Sequence, residues 1–129
     1  MKTQGFIVTL FLIGIVCVTG SKRGMKIEEK CSRLSIQISQ SPTTELPNGI
    51  PQYRVEIENT CTDCAISQIH INCGMFSSAR LINPKIFKRL RYNDCLVNDG
   101  KTLRSGAVVS FTYATTFAYP LSVSSVLCA

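Results

Sequence analysis

Six cysteines, Cys31, Cys61, Cys64, Cys73, Cys95 and Cys128, are the side chains of this 129-residue sequence with the most chemistry to offer. Three chemistries suit them: a redox pair at Cys61-Thr62-Asp63-Cys64, a metal site, or a set of disulfides. A redox pair of that spacing needs its first cysteine at the start of a helix that follows a strand, where the helix dipole lowers the thiol pKa. Residues 66–73 alternate like a strand instead, so that setting is missing. Zinc needs a second close pair of Cys or His ligands, and the other cysteines are far apart with a single histidine available. Structural disulfides remain, and the sequence does not choose among the pairings that six cysteines allow.

Little else offers catalysis. His70 is the only histidine, and its neighbours Ile69 and Ile71 place it on the polar side of a strand with no nucleophile motif beside it. Eight carboxylates give some pair in any fold, so paired-acid chemistry carries no specific signal. No glycine-rich phosphate loop or Walker motif is present. The expectation is a protein that is not an enzyme and takes no cofactor or metal.

The disulfide reading agrees with the start of the chain. Lys2 precedes an apolar run over residues 6–18, and small residues follow before Gly20 and Ser21. This is the pattern of a removable export leader, with cleavage expected between Gly20 and Ser21. The run is shorter than the ~18–20 apolar residues that a membrane span needs. Residues 1–20 are therefore expected to be removed, taking the seventh cysteine, Cys17, with them, and no stable membrane insertion is expected afterwards. Disulfides persist in the oxidising compartment to which such a leader delivers. Residues 21–30 form a short N-terminal segment in which Lys22-Arg23 offers a dibasic processing site, and residues 31–128 form one domain. With 14 Lys and Arg against 8 Asp and Glu, the chain is basic and favours acidic partners.

Alternation of apolar and polar residues fills that domain, which is the period of half-buried strands. Leu34, Ile36 and Ile38 alternate with Ser35, Gln37 and Ser39, and Tyr53, Val55 and Ile57 with Arg54, Glu56 and Glu58. Ile69, Ile71 and Cys73 share one face, as do Val109, Phe111 and Tyr113, and residues 121–127 form a last run. Turn residues cluster at 47–51, 98–100 and 105–106. The expected architecture is all-β: an antiparallel β-sandwich stapled by disulfides. One stretch departs from it, because Asn83-Pro84 fits a helix start with proline at the first position, predicting a short helical turn over residues 84–90.

That same stretch carries Arg80, Lys85, Lys88, Arg89 and Arg91, with no acidic residue from Ala65 to Asn93. Interleaved with Leu81, Ile82, Ile86, Phe87, Leu90 and Tyr92, these bases suit a protein interface, where arginine and aromatics are enriched and charge steers association. A solvated charge run is the plainer reading. Nucleic acid is set aside, since neither a recognition helix nor an aromatic RNA-binding signature is present.

The segments 46–51, 76–79, 81–84, 87–90 and 94–98, with Tyr53, Val55, Glu56, Ile57, Phe111, Tyr113 and Ala114, make the chain resemble the plant tapetum determinant proteins from Cys31 to Cys128. That family consists of small secreted cysteine-rich proteins. The resemblance implies an apoplastic signal read by the ectodomain of a leucine-rich repeat receptor kinase that influences cell fate in the anther. It also matches the six cysteines. Two departures are a shorter gap between Cys61 and Cys64, and Met75 where tryptophan often stands. A cell-wall carbohydrate-binding module is the alternative, but polysaccharide binding wants a flat row of exposed aromatics, the chain lacks tryptophan, and Phe111 and Tyr113 read as core first.

Overall fold

A computed structural model describes residues 31–128; the leader, Gly20, Ser21 and Lys22-Arg23 lie outside the described residues. A 3-10 turn over Arg33–Ser35, capped by Ser32, leads into seven strands. They are β1 (Ile36–Pro42), β2 (Gln52–Asn59), β3 (Ile66–Asn72), β4 (Phe87–Arg91), β5 (Asp94–Val97), β6 (Val108–Ala114) and β7 (Ser122–Cys128). Two antiparallel sheets result, one ordered β1-β2-β6 and the other β4-β5-β3-β7.

The alternation read from the sequence sets which face of each strand is buried. In the smaller sheet Val55 stands opposite Phe111 and Ile57 opposite Val109, with Ile38 opposite Ile57 on the other side. Val55, Ile57, Phe111 and Tyr113 are buried while Arg54, Glu56 and Glu58 face outward. The larger sheet supplies Ile66, Ile69, Ile71, Cys95, Val97 and Phe87 to the same core. Each such aliphatic side chain, fully buried, contributes about 1.5–3 kcal/mol. Phe87 stacks on Phe111 at 4.3 Å between ring centres, and Phe76, from the β3–β4 connection, meets both Phe87 and Tyr113 edge-on. Edge-on and offset contacts of this kind add to what burial alone contributes. Leu34 is the exception to the expected alternation: it lies in the 3-10 turn before β1 and is exposed.

One parity break in β3 is informative. Ile66 and Ile69 are both buried although three residues apart, which a regular strand cannot do. Gln68 takes a φ of 49°, and the pairing with β7 shifts between Ser67 and His70. This bulge absorbs the extra residue and turns Ile66 inward. The Gln68 side chain donates to the Gly100 carbonyl, and a Cβ on Gly100, whose φ is +77°, would lie 3.0 Å from Gln68 Nε2. The positive φ favours glycine there, and any added Cβ would press on the Gln68 amide.

The predicted helical turn stops early. Asn83 does cap a turn, its Oδ1 accepting from Lys85 N–H and its carbonyl from Ile86 and Phe87. From Phe87 the chain is extended, pairing Phe87 with Val97, Lys88 with Leu96 and Arg89 with Cys95. A helix through residue 90 would leave β5 without its outer partner and pull Phe87 off Phe111, so tertiary pairing overrides the local start signal.

Candidate protein-binding surface

The five basic residues divide between two parts of the chain. Lys88, Arg89 and Arg91 lie on β4, an edge strand, whereas Arg80 and Lys85 sit in the connection before it. Arg91 Nη1 donates to Asp94 Oδ2 at 2.6 Å, and Asp94 Oδ1 lies 2.7 Å from His70 Nδ1. Lys88 Nζ lies 3.5 Å from Asp99. Two of the bases are thus matched by acids from just beyond the acid-free stretch. Arg80 donates to Gln52 Oε1 and closes the adjoining loop through Ser78. Lys85 and Arg89 have no ion-pair partner among the described residues. Lysine and arginine on an edge strand also discourage pairing with a foreign sheet, which accounts for part of this charge without any partner.

The interleaved apolar residues divide in the same way. Phe87 is buried, and Ile82 and Ile86 pack against the core, so the mixed apolar surface expected there is narrower than its sequence. Leu81, Leu90 and Tyr92 remain exposed.

A second set of exposed apolar side chains joins Tyr92 at one end of the sandwich. Gly74 and Asn93 exchange two hydrogen bonds, Gly74 N–H to Asn93 Oδ1 and Asn93 N–H to the Gly74 carbonyl, which sets Met75 and Tyr92 on adjoining turns. Tyr119 Oη accepts from Ser77 N–H and reaches the Met75 carbonyl at 3.4 Å, bringing the β6–β7 loop to the same end. That loop holds Phe117, 79 % exposed, beside Met75 and Tyr92 at 69 % each. The Tyr119 hydroxyl has its pKa lowered, first by its hydrogen bond with Ser77. Arg89 lies on β4 two residues before the strand ends at Arg91, next to Tyr92. Sequence reading missed Phe117: it belongs to no strand, and its loop carries no charge or motif to mark it. A large apolar residue flanked by Thr116 and Ala118 in a strand-to-strand loop was the only available signal.

The opposite end is closed by covalent and polar contacts. Disulfides join Cys31 to Cys61 and Cys64 to Cys128, while Cys73 and Cys95 are bridged in the core. Asn59 is fully buried there; its amide donates to the Leu103 carbonyl at 2.9 Å and its Oδ1 accepts from Cys61 N–H at 2.8 Å. The sulfurs of Cys31, Cys64 and Cys128 lie within 4.8 Å of one another, but all three are bonded in disulfides and have no thiolate to offer a metal. Among the described residues no helix is long and apolar enough to cross a membrane.

Residues 32–129 match the profile of the family described as Tapetum determinant 1, C-terminal. The chain belongs to the tapetum determinant 1 family. It is 54% identical over 104 residues to TPD1 protein homolog 1 of Arabidopsis thaliana, covering 80% of this chain and 58% of that one. It is 46% identical over 100 residues to TPD1 protein homolog 1B of Oryza sativa subsp. japonica, covering 78% and 59%. TPD1 protein homolog 1A of the same rice is 39% identical over 133 residues, covering 91% and 59%. The chain thus spans about three-fifths of the length of the relatives it matches. No solved structure matches it. This tapetum determinant 1 chain has the all-β, disulfide-stapled architecture that its alternation and cysteines imply.

Proposed function

We propose that the chain is an exported, apoplastic signalling protein that binds the ectodomain of a leucine-rich repeat receptor kinase and influences cell fate in anther development. It acts by binding and uses no catalytic residue. One observation carries the reading: Met75, Tyr92 and Phe117 are exposed at one end, with Arg89 on the edge strand that leads to Tyr92, in a fold that packs its other large aromatics inward. Exposed aromatic and methionine side chains with arginine beside them are what protein interfaces concentrate, and such anchors supply most of the affinity where they enter pockets. Lys85 and Arg89, without ion-pair partners among the described residues, lie beside and in the β4 edge. An acidic receptor surface would be steered to the β4 side.

Label-free binding of the disulfide-bonded protein to a panel of leucine-rich repeat ectodomains, at low and high salt, tests this. Saturable binding to one ectodomain is expected, with association slowed by salt and by the double change Lys85→Glu, Arg89→Glu. Lys88 is a poorer choice for reversal, since Asp99 already pairs with it. Failure to bind any ectodomain, together with retention on pectin or cellulose, would instead favour the cell-wall polysaccharide module. Phe111 and Tyr113, the aromatics weighed for such a module, are buried.

A further inference from the structure

The end opposite Met75 and Phe117 gathers four sulfurs, and they are arranged for more than two fixed bridges. Cys61 and Cys64 are separated by two residues, yet each is bonded to a distant cysteine, at separations of 30 and 64 residues. Their own sulfurs lie 3.8 Å apart. The N–H groups of Asp63 and Cys64 both point at Cys61 Sγ, each at 3.2 Å. Cys128 is exposed at the end of β7, Cys31 and Cys64 are half-buried, and Cys61 is 4% exposed. The third bridge shares none of this: Cys73 and Cys95 are buried among core side chains at 1% and 0% exposure.

We propose that Cys31, Cys61, Cys64 and Cys128 form a thiol-exchange site that takes a small monothiol, of the glutathione class, as its reactant and exchanges the two bridges for the pairs Cys61–Cys64 and Cys31–Cys128. The monothiolate attacks the exposed Cys128 Sγ, forming a mixed disulfide and releasing Cys64 as thiolate. Cys64 attacks Cys61 at 3.8 Å, breaking the Cys31–Cys61 bond and releasing Cys31. Cys31, whose sulfur lies within 4.8 Å of Cys128, attacks the mixed disulfide and returns the monothiol. Two disulfides are consumed and two are formed, so the reaction needs no oxidant or reductant beyond the recycled thiol.

The exchange changes what the bridges hold. Cys31–Cys61 ties the approach to β1 to the end of its neighbour β2, and Cys64–Cys128 ties the approach to β3 to the end of its neighbour β7. Each therefore staples within one sheet. Strands β1 and β7 are the edge strands that border the groove lined by Ile36, Ile38 and Val123. A Cys31–Cys128 bond would join these two edges and so link one sheet to the other along the open side of the sandwich.

Two experiments test the site. In the first, the native chain is incubated with substoichiometric glutathione, alkylated and mapped by mass spectrometry, with cleavage before Asp63 to separate Cys61 from Cys64. The expected product carries Cys61–Cys64 and Cys31–Cys128, no free thiol, and Cys73–Cys95 intact. Retention of the starting pairs, or loss of all three bridges together, overturns the proposal. The second uses no added thiol. In Cys31→Ala the unpaired Cys61 is expected to displace Cys128, so alkylation should label Cys128 in several-fold excess over Cys61. Label predominantly on Cys61 overturns it. If Cys31→Ala does not fold, Cys128→Ala gives the mirror measurement, with the free thiol expected on Cys31 rather than Cys64.

Discussion

The two ends of the sandwich are built on opposite principles. At one, Asn59 is buried with its side-chain amide and carbonyl both partnered, and two disulfides lie alongside it. At the other, Met75, Tyr92 and Phe117 stand in solvent on turns held by main-chain and hydroxyl hydrogen bonds. If the apolar end is the binding surface proposed above, stability and recognition are separated along the strand direction. A change at the stapled end should lower the amount of folded protein, and a change at the apolar end should lower its binding.

The largest effect that would test this division is loss of a bridge. The double variant Cys64→Ser, Cys128→Ser should lose about 2–5 kcal/mol of unfolding free energy, read by denaturant titration. Whatever fraction still folds should bind its partner normally. Next is Asn59→Ala, which strands the Cys61 N–H in a buried site, while the Leu103 carbonyl keeps its bond from Ile66 N–H. Leaving that one donor unpartnered should cost about 1–3 kcal/mol. At the apolar end the ordering reverses. Tyr92→Ala with Phe117→Ala should leave stability within about 0.5 kcal/mol, while receptor affinity falls by at least tenfold, about 1.4 kcal/mol. Loss of folded yield in this variant would break the comparison. Met75→Trp sharpens it from the other side: a larger anchor at an exposed position should strengthen binding by at least about 0.5 kcal/mol with no change in melting temperature. The smallest effect is expected at Lys88→Ala, whose ion pair with Asp99 is more than a third exposed on both sides. It should shift stability by less than about 0.5 kcal/mol.

The stapled and apolar ends also differ in how far the sequence reveals them. Faces such as Val55 with Ile57, and Phe111 with Tyr113, are plain from a period of two, because burial on one side of a pleated strand enforces it. The bulge at Gln68 is hidden, since a positive φ at a glutamine leaves no trace in composition and only breaks the parity of Ile66. The turn at Asn83 is legible, but its end is not, because β5 decides it by pairing with Phe87. Cysteine number announces a framework, whereas the pairing depends on which strands lie side by side. The charge on β4 is visible in sequence, and its partial neutralisation is not, because Asp94 and Asp99 are supplied from β5 and the turn after it. Phe117 is recognised only once the loop that carries it is seen to share an end with Met75 and Tyr92.

The placement of the two outermost cysteines has a practical side. Cys31 and Cys128 bring both limits of the described domain to the stapled end, opposite the end that carries Tyr92 and Phe117. A fluorophore placed at either limit of the described domain therefore reports on the stapled end, and one placed at Phe117 on the other, so the two ends can be followed separately in one molecule.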